Sequence, residues 1–278
     1  MRGLLEAALR HLDGADARAE AQILLAHVLG RPRSWLFAWP EHEPDAAQRE
    51  VYAGLVEARA RGEPIAYLTG RRDFWNLDLA IGPAVLIPRP ETELLVELAL
   101  ARLPLDREVC VADLGTGSGA IALAIASERP QARVLATDAS EAALEVARGN
   151  ARRLGLGKLE FARGNWCEVL GGRRFDLIVS NPPYIASGDP HLAQGDLRFE
   201  PAAALASGKD GLDALRAIVA QAPEHLVERG WLLLEQGYDQ AAAVRDLLAG
   251  SGFESIGSAR DAAGHERVSF GRRPPVKV

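Results

Sequence analysis

Phe175-Asp176-Leu177-Ile178-Val179-Ser180-Asn181-Pro182-Pro183-Tyr184 decides how this chain folds. Leu177-Ile178-Val179 is apolar on both faces, which a strand needs when its sheet is covered on both sides. Proline cannot donate to a ladder and fixes its own φ, so Pro182-Pro183 ends the strand. The residue before a proline is pushed toward extended backbone, so Asn181 is restricted at the strand tip. A carboxamide, a stiff turn and an aromatic ring therefore meet at the carboxyl end of a buried strand. In open α/β sheets ligands bind there.

Working outward, strand-like and helix-like segments alternate from Val109 onward. The strands are Val109–Leu114, Arg133–Asp138, Leu159–Arg163, Asp176–Ser180 and Trp231–Glu235. The helices are Ser118–Arg129, Ser140–Leu154, Leu212–Glu228 and Gln240–Ala249. Such alternation implies a parallel, doubly wound α/β sheet with right-handed crossovers. Phe253–Ala259 and Arg267–Phe270 are joined by a short loop around Gly264, too short for a crossover helix, so that pair is antiparallel. A parallel sheet finished by an antiparallel hairpin resembles the Rossmann-like fold of the S-adenosylmethionine-dependent methyltransferases.

Residues 1 to 72 read as helical. Leu4, Leu5, Ala8, Leu9 and Leu12 mark one face, and Ile23, Leu24, His27 and Val28 another; a third helix runs from Pro44 to Arg61. Trp35, Phe37 and Trp39 are expected in the core of this small bundle, since aromatic side chains usually serve packing. Residues 73–88 read as a hairpin linker: Phe74 to Leu79 alternates, Gly82-Pro83 turns, and Ala84–Ile87 returns as a strand. Pro90 and the acidic residues of Glu91-Thr92-Glu93 then suit the start of a helix from Leu94 to Leu103.

Asp113-Leu114-Gly115-Thr116-Gly117-Ser118-Gly119 joins the first sheet strand to a helix, and its glycines permit tight turning and close approach of a ligand. Alone the signal is weak, because Gly115, Gly117 and Ala120 also satisfy a dinucleotide fingerprint. Asp138 ends the second strand, where a carboxylate can accept both hydroxyls of a ribose or brace the next helix. Asp113, two residues ahead of the first glycine, favours S-adenosylmethionine; it organises the loop or faces the amino-acid end of the cofactor. Trp166, after the third strand, offers a stacking face for adenine or a packing group for the core.

The chemistry centres on Asn181. An amide nitrogen is a poor nucleophile because its lone pair is delocalised. Two fixed acceptors, the Asn181 side-chain oxygen and the Pro182 carbonyl, can hold its N–H groups so that its third direction meets a sulfonium methyl. Tyr184 can lie against the planar group. Positioning and fixed dipoles then carry the reaction, and neither a metal nor a base of tuned pKa is required. Adenine-N6 and glutamine-amide methyltransferases both present planar NH2 groups, and both carry this motif.

The wider sequence resembles one family, the release factor glutamine methyltransferases. The matching segments are GEPIAYLTG (62–70), FWNLDLAIGPAVLIPRPETE (74–93), DLGTGSGAIALA (113–124), SNPPYI (180–185), DPHLAQGDLRFEP (189–201), LLLEQG (232–237) and ERVSFGR (266–272). The resemblance implies an N-terminal helical substrate-docking domain (1–72), the hairpin linker (73–88) and a catalytic domain (89–278). It implies methylation at N5 of the glutamine in the Gly-Gly-Gln loop of class I peptide release factors. Gly115, Thr116, Gly117, Ser118, Gly119, Asp138, Trp166 and Asn181 fall at cofactor positions, and Asn181, Pro182, Pro183 and Tyr184 at the glutamine-binding segment. Asn165 departs from the aspartate some relatives carry. Phe199-Glu200-Pro201 and Glu235 match family positions without a derivable role, Phe199 suiting either a pocket wall or loop packing.

Composition limits the alternatives. The 278 residues carry a net charge of −6, and residues 1–75 contain no lysine, so a DNA adenine methyltransferase would lack a basic recognition face. Cys110 and Cys167 are the only cysteines and show no metal spacing; Cys110 is expected as a core thiol. Glu6 and Arg10 interrupt the first apolar stretch, and no run approaches the ~20 apolar residues of a membrane span. The expectation is a cytoplasmic monomer that binds neither nucleic acid nor membrane.

Overall fold

The computed structural model describes residues 1–275. The chain divides into two compact units, Met1–Arg71 with Gln194–Phe199, and Arg72–Ala193 with the residues from Glu200 onward.

The first unit holds α1 (Arg2–Ala8), α2 (Ala17–Leu29), α3 (Arg33–Ala38), α4 (Ala46–Ala60) and α5 (Ile65–Thr69). Its core gathers Ala8, Leu12, Leu24, Leu25, Leu36 and Val56. Asp45 and Gln48 form a reciprocal capping box that starts α4. The inserted segment 194–199 is tied in by charge: Arg59 reaches Glu20 at 2.7 Å and Asp196 at 3.2 Å, and Arg198 donates to the Arg61 carbonyl at 2.7 Å. Of the three aromatic residues expected in this core, Trp35 packs against it half-buried, and the expectation fails for Phe37 and Trp39. Leu36 is the buried residue of that helix, whereas Phe37 is 65% and Trp39 60% exposed. A six-residue helix turns one narrow face inward, so Phe37 and the following Trp39 are left outside, where Trp39 stacks on Trp35 at 6.4 Å, with Arg31 over the Trp35 ring.

In the second unit, β1 (Arg71–Phe74) and β2 (Leu77–Ala80) form a two-stranded ribbon. The turn falls at Trp75-Asn76, not at Gly82-Pro83, and Ala84–Ile87 is not a strand. Trp75 holds φ +56°, its N–H donates to Glu93 and its indole N–H to Glu128, both at 2.8 Å. Those tertiary bonds stabilise a turn that local residue preference does not favour. Asn150 also stitches the ribbon to this unit, accepting from Ala80 N–H at 2.7 Å and donating to its carbonyl at 3.0 Å.

The remaining elements are α6 (Glu93–Leu100), β3 (Cys110–Leu114), α7 (Ala120–Glu128), β4 (Arg133–Asp138), α8 (Glu141–Arg153), β5 (Glu160–Arg163), β6 (Phe175–Ser180), α9 (Asp213–His225), β7 (Leu226–Glu235), α10 (Ala241–Gly250), β8 (Glu254–Arg260) and β9 (Glu266–Arg272). A short 3-10 turn, Pro90–Thr92, precedes α6. The sheet order is β5-β4-β3-β6-β7-β9-β8. Neighbours are parallel except that β9 runs against both β7 and β8. This is the parallel sheet with an antiparallel finish that the sequence predicts. Residues 226–228 belong to β7 instead of the preceding helix, because Leu226 pairs with Phe175 across the ladder.

Phe175, Leu177, Ile178 and Val179 of β6 are wholly buried, as its two-sided apolar run requires. Ser180, also buried, donates to the Leu114 carbonyl at 2.6 Å. Cys167 is buried, but Cys110 at the start of β3 is only partly so. The register sets the functional edge. Leu114 lies opposite both Thr137 and Ser180, and Asp138 opposite Arg163. The loops leaving β3, β4, β5 and β6 therefore emerge side by side at the point where the strand order reverses.

Candidate active site

A cavity of about 360 Å³ opens at that edge, within the usual range for small-molecule sites. Its lining includes Gly115 and Gly117 after β3, Asp138 after β4, Gly164, Asn165 and Trp166 after β5, and Asn181 and Pro183 after β6. Val85 and Leu86 line another side, and Pro201, Ala203 and Ala204 a third. Sequence reasoning did not find those last two walls. Val85 and Leu86 lie in the segment read as a returning strand, and the alanines have no chemical signal.

The glycine loop is held from behind. Asp113 accepts from the Thr116 hydroxyl at 2.6 Å and the Ala122 N–H at 3.2 Å, so it organises the loop and does not line the cavity. Its Oδ1 is buried without a partner. Burial raises its carboxyl to about 7, against the opposing pull of those two donors. Thr116 and Ser118 are themselves buried, and the Ser118 carbonyl accepts from Asn150 at 2.9 Å. Gly119 holds φ +87°, and a Cβ there would lie 2.9 Å from Leu123 Cδ1, so this glycine lets the helix approach the loop. Gly115 sits beneath the Trp166 ring: a Cβ would meet its Cζ3 at 3.4 Å. Gly115, Gly117, Asp138, Trp166, Asn181 and Pro183 thus come together at the cavity, while Thr116, Ser118 and Gly119 shape the loop from outside its lining.

Asp138 accepts from Gly117 N–H and Ser140 N–H, each at 2.9 Å through a different oxygen. It therefore ties the β3 loop to the β4 loop, and Ser140 caps α8 in its place. Each carboxylate oxygen keeps a lone pair for a further hydroxyl donor.

At the tip of β6, Asn181 Nδ2 donates to the Thr92 hydroxyl at 3.2 Å. Its Oδ1 takes no hydrogen bond among the described residues, nor does the Pro182 carbonyl. Tyr184 turns its ring to the core and its hydroxyl to Glu235 Oε1 at 3.3 Å; burial, then the adjoining carboxylate, pushes its pKa up. Glu235, at the end of β7, is completely buried and raised to about 7 by that burial, with Thr92, Arg267 and Tyr184 favouring its charged form. Glu200 is buried beside the cavity wall, pairs with Arg89, and accepts from Ile87 N–H at 3.0 Å. Phe199 belongs to the first compact unit, where Arg198 lies over its ring at 4.8 Å. Among the described residues no cluster of His, Cys, Asp and Glu has the makings of a metal site, and no helix is long and apolar enough to cross a membrane.

A glycine loop, a strand-tip carboxylate, an aromatic face and an Asn-Pro-Pro-Tyr turn around one cavity of a seven-stranded sheet define a methyltransferase of the Rossmann-like class. A family model for a small methyltransferase domain matches residues 91–208, and one for a PrmC N-terminal domain matches residues 4–70. The fold is shared with the T. thermophilus 16S rRNA N2 methyltransferase in complex with AdoMet and guanosine, at 23% identity and a TM-score of 0.53, over 73% of this chain and 49% of that one. A release factor glutamine methyltransferase from Xylella fastidiosa is 58% identical over 98% of this chain and 97% of its own length. One from Pseudomonas aeruginosa is 52% identical over 94% of each. The chain belongs to the release factor glutamine methyltransferase family.

Proposed function

We propose that this chain transfers a methyl group from S-adenosyl-L-methionine to the N5 nitrogen of the glutamine in the Gly-Gly-Gln loop of class I peptide release factors. The observation that carries this reading is the orientation of Asn181. Its NH2 is taken up by Thr92, which leaves Oδ1, beside the Pro182 carbonyl, to accept the N–H groups of an incoming carboxamide. With both N–H bonds held, the nitrogen presents its remaining direction; the new N–C bond forms as the methyl–sulfur bond breaks, and one N–H proton is released to solvent. Placement and fixed dipoles supply the rate enhancement.

The cavity suits the methyl donor. Gly115 and Gly117 leave room for close approach, Thr116, Ser118 and Gly119 fix the loop, Asp138 has lone pairs for two ribose hydroxyls, and Trp166 offers a face to adenine. When bound, S-adenosyl-L-methionine supplies an electrophilic methyl group and leaves as S-adenosyl-L-homocysteine. Pro183 stiffens the turn, and Tyr184, tethered to Glu235, sets the tilt of the planar acceptor. No metal takes part in this scheme. Residues 1–72 dock the release factor, residues 73–88 link, residues 89–278 catalyse, and the protein works as a cytoplasmic monomer.

The test is radiolabelled methyl transfer to a purified class I release factor, to its Gln→Ala loop variant, and to DNA. Label should enter only the first; label in DNA would favour adenine-N6 chemistry. Asn181→Ala should abolish transfer while cofactor affinity falls only modestly, and preserved turnover would remove Asn181 from its role.

A further inference from the structure

We propose that Gln240, at the start of α10, is the positioning residue that pins the downstream arm of the Asn-Pro-Pro-Tyr turn and so fixes where the Pro182 carbonyl points. The inference rests on the acceptor amide being held by Asn181 and Pro182. It gives a role to two sequence segments, 208–213 and 237–240, that the reaction itself leaves unused.

A turn built on two prolines has a particular weakness. Neither Pro182 nor Pro183 carries an N–H, so no backbone donor lies between Asn181 and Tyr184 to tie the turn down. The prolines stiffen it internally, but its placement depends on its two ends. The upstream end is the β6 ladder, where Ser180 lies opposite Leu114 and Leu234. The downstream end is Tyr184-Ile185, where the chain has already left the sheet. Ile185 N–H donates to the Leu205 carbonyl at 3.0 Å, and the Ile185 carbonyl accepts from Ser207 N–H at 2.9 Å. Residues 205–207 are themselves loop, however, and a regular element is needed to locate the pair.

Gln240 supplies that link. Its Nε2 donates to the Tyr184 carbonyl at 2.9 Å and to the Asp210 carbonyl at 3.3 Å, and its Oε1 accepts from Gly237 N–H at 2.9 Å. A carboxamide offers one accepting atom and two donors. Here backbone groups take both ends, and they dictate that the NH2 faces Tyr184. The base of the side chain is fixed as well. Gln240 N–H donates to the Gly237 carbonyl, and its own carbonyl accepts from Val244 N–H, each at 3.0 Å. Val244 and Leu248 of α10 are wholly buried in the core cluster that holds Ile178 of β6 and Leu234 of β7. The arm of the turn is thereby referred to the same sheet that carries Asn181.

A second observation marks the same carbonyl. Gly211 holds φ +76°, and a Cβ there would overlap the Tyr184 carbonyl oxygen and lie 2.7 Å from Gln240 Nε2. Only a residue without a side chain lets this loop come so close. The Tyr184 hydroxyl reaches Glu235 at 3.3 Å, so Tyr184 is held at its side-chain and main-chain ends alike. Neither Gln240 nor Gly211 lines the cavity. Gln240 therefore acts through Tyr184 and the turn, and touches neither methyl donor nor acceptor.

The experiment compares the wild type, Gln240→Met and Gln240→Glu with a purified class I release factor at pH 8. Methionine keeps the length of the side chain and loses all three bonds. Glutamate keeps an acceptor for Gly237 N–H but, ionised at this pH, cannot donate to Tyr184. Both variants should lower kcat about 10- to 100-fold, as misplacing an approach geometry does. Cofactor affinity and the number of cofactor sites per chain should stay at wild-type values, because the loops that line that part of the cavity leave β3, β4 and β5. A wild-type kcat in either variant overturns the proposal; in Gln240→Glu it would reduce the side chain to a brace for Gly237. A loss of kcat matched by lost cofactor sites also overturns it, since that marks a chain that is only less folded. A further readout needs neither activity nor a variant: solvent exchange of the Gln240 side-chain NH2 protons in 15N-labelled wild-type protein. The proton given to Tyr184 should exchange well below the rate of exposed glutamines, and two protons at that rate overturn the proposal. A wild type that leaves the release factor unmethylated refutes the substrate assignment, while the exchange measurement still judges the clamp on Tyr184.

Discussion

Replacing the aspartate at position 113 by asparagine (Asp113→Asn) should reverse the order of stability of the two proteins between pH 4 and pH 8.5. Asp113 is fully buried under the glycine loop, and burial raises its carboxyl from 3.8 to about 7. Between those values the folded protein keeps a proton that the unfolded chain has lost. The native state thus binds more protons, so stability falls as pH rises through this window. Above pH 7 the full penalty is present, and a rise of that size corresponds to about 4 kcal/mol. The variant carboxamide would keep an oxygen for Thr116 and Ala122, but its NH2 would replace the unpartnered Oδ1. A buried unpaired donor costs about 1–3 kcal/mol at any pH. At pH 4, where little of that penalty has yet developed, the variant should therefore be the less stable protein by about 0.5–2.5 kcal/mol, and at pH 8.5 the more stable by about 1–3 kcal/mol. Glu235 titrates in both proteins and cancels in the difference. Thermal unfolding of the cofactor-free proteins at the two pH values measures this, at about 2–4 °C per kcal/mol. Unfolding midpoints that stay parallel across the range would refute the assignment of a protonated, buried Asp113.

Three further outcomes follow from other contacts. Asn150→Leu removes the bonds to Ala80 and to Ser118, and should destabilise the second unit by about 2–4 kcal/mol through the backbone groups left unpaired; chemical denaturation measures the loss, and cofactor titration should show weaker binding because the glycine loop loses its anchor. Gly119→Ala forces a side chain into φ +87° and against Leu123 and Ala147, costing about 1–3 kcal/mol, and calorimetry should record a fall in both melting temperature and cofactor affinity. Phe37→Ser with Trp39→Ser changes exposed groups only, so stability should move by less than about 0.5 kcal/mol; if the helical unit docks the release factor through this face, the release-factor KM should rise while the cofactor Kd stays fixed.

The catalytic sheet was legible because its signals are local and repeated. Apolar runs such as Leu177–Val179 fix strands, the glycine loop and Pro182-Pro183 fix where they stop, and the short loop at Gly264 fixes the antiparallel end. The errors occurred where distant groups override local preference. Gly82-Pro83 does turn the chain, with Val85 N–H donating to Gly82 at 3.1 Å, but no strand follows, because Ile87 N–H is claimed by Glu200, 113 residues away. The hairpin turn fell instead on Trp75, whose positive φ is held by Glu93 and Glu128. Phe37 and Trp39 look like core residues by type alone, and the brevity of α3 leaves them exposed. Of the candidate site, the glycine loop, Asp138, Trp166 and Asn181 were visible as motifs. Thr92 and Asn150 were not, since a threonine in a helix start and an asparagine within a helix carry no distinguishing pattern.

The buried acids at this edge of the sheet form a consistent set. Asp113 braces the glycine loop, Glu235 tethers Tyr184, and Glu200 clasps Arg89 and the Ile87 backbone. Each carboxylate stands behind a loop that lines the cavity, and none of the three lines it. A stability requirement alone would favour apolar residues there, since a buried charge is at best nearly neutral against a hydrophobic replacement. A site that works by holding a weak nucleophile in one place needs loops that do not yield. Hydrogen bonds and an ion pair from the rear provide that stiffness without occupying space in front. The order of the carboxylates along the chain is therefore less informative than their common placement, one layer behind the reacting groups.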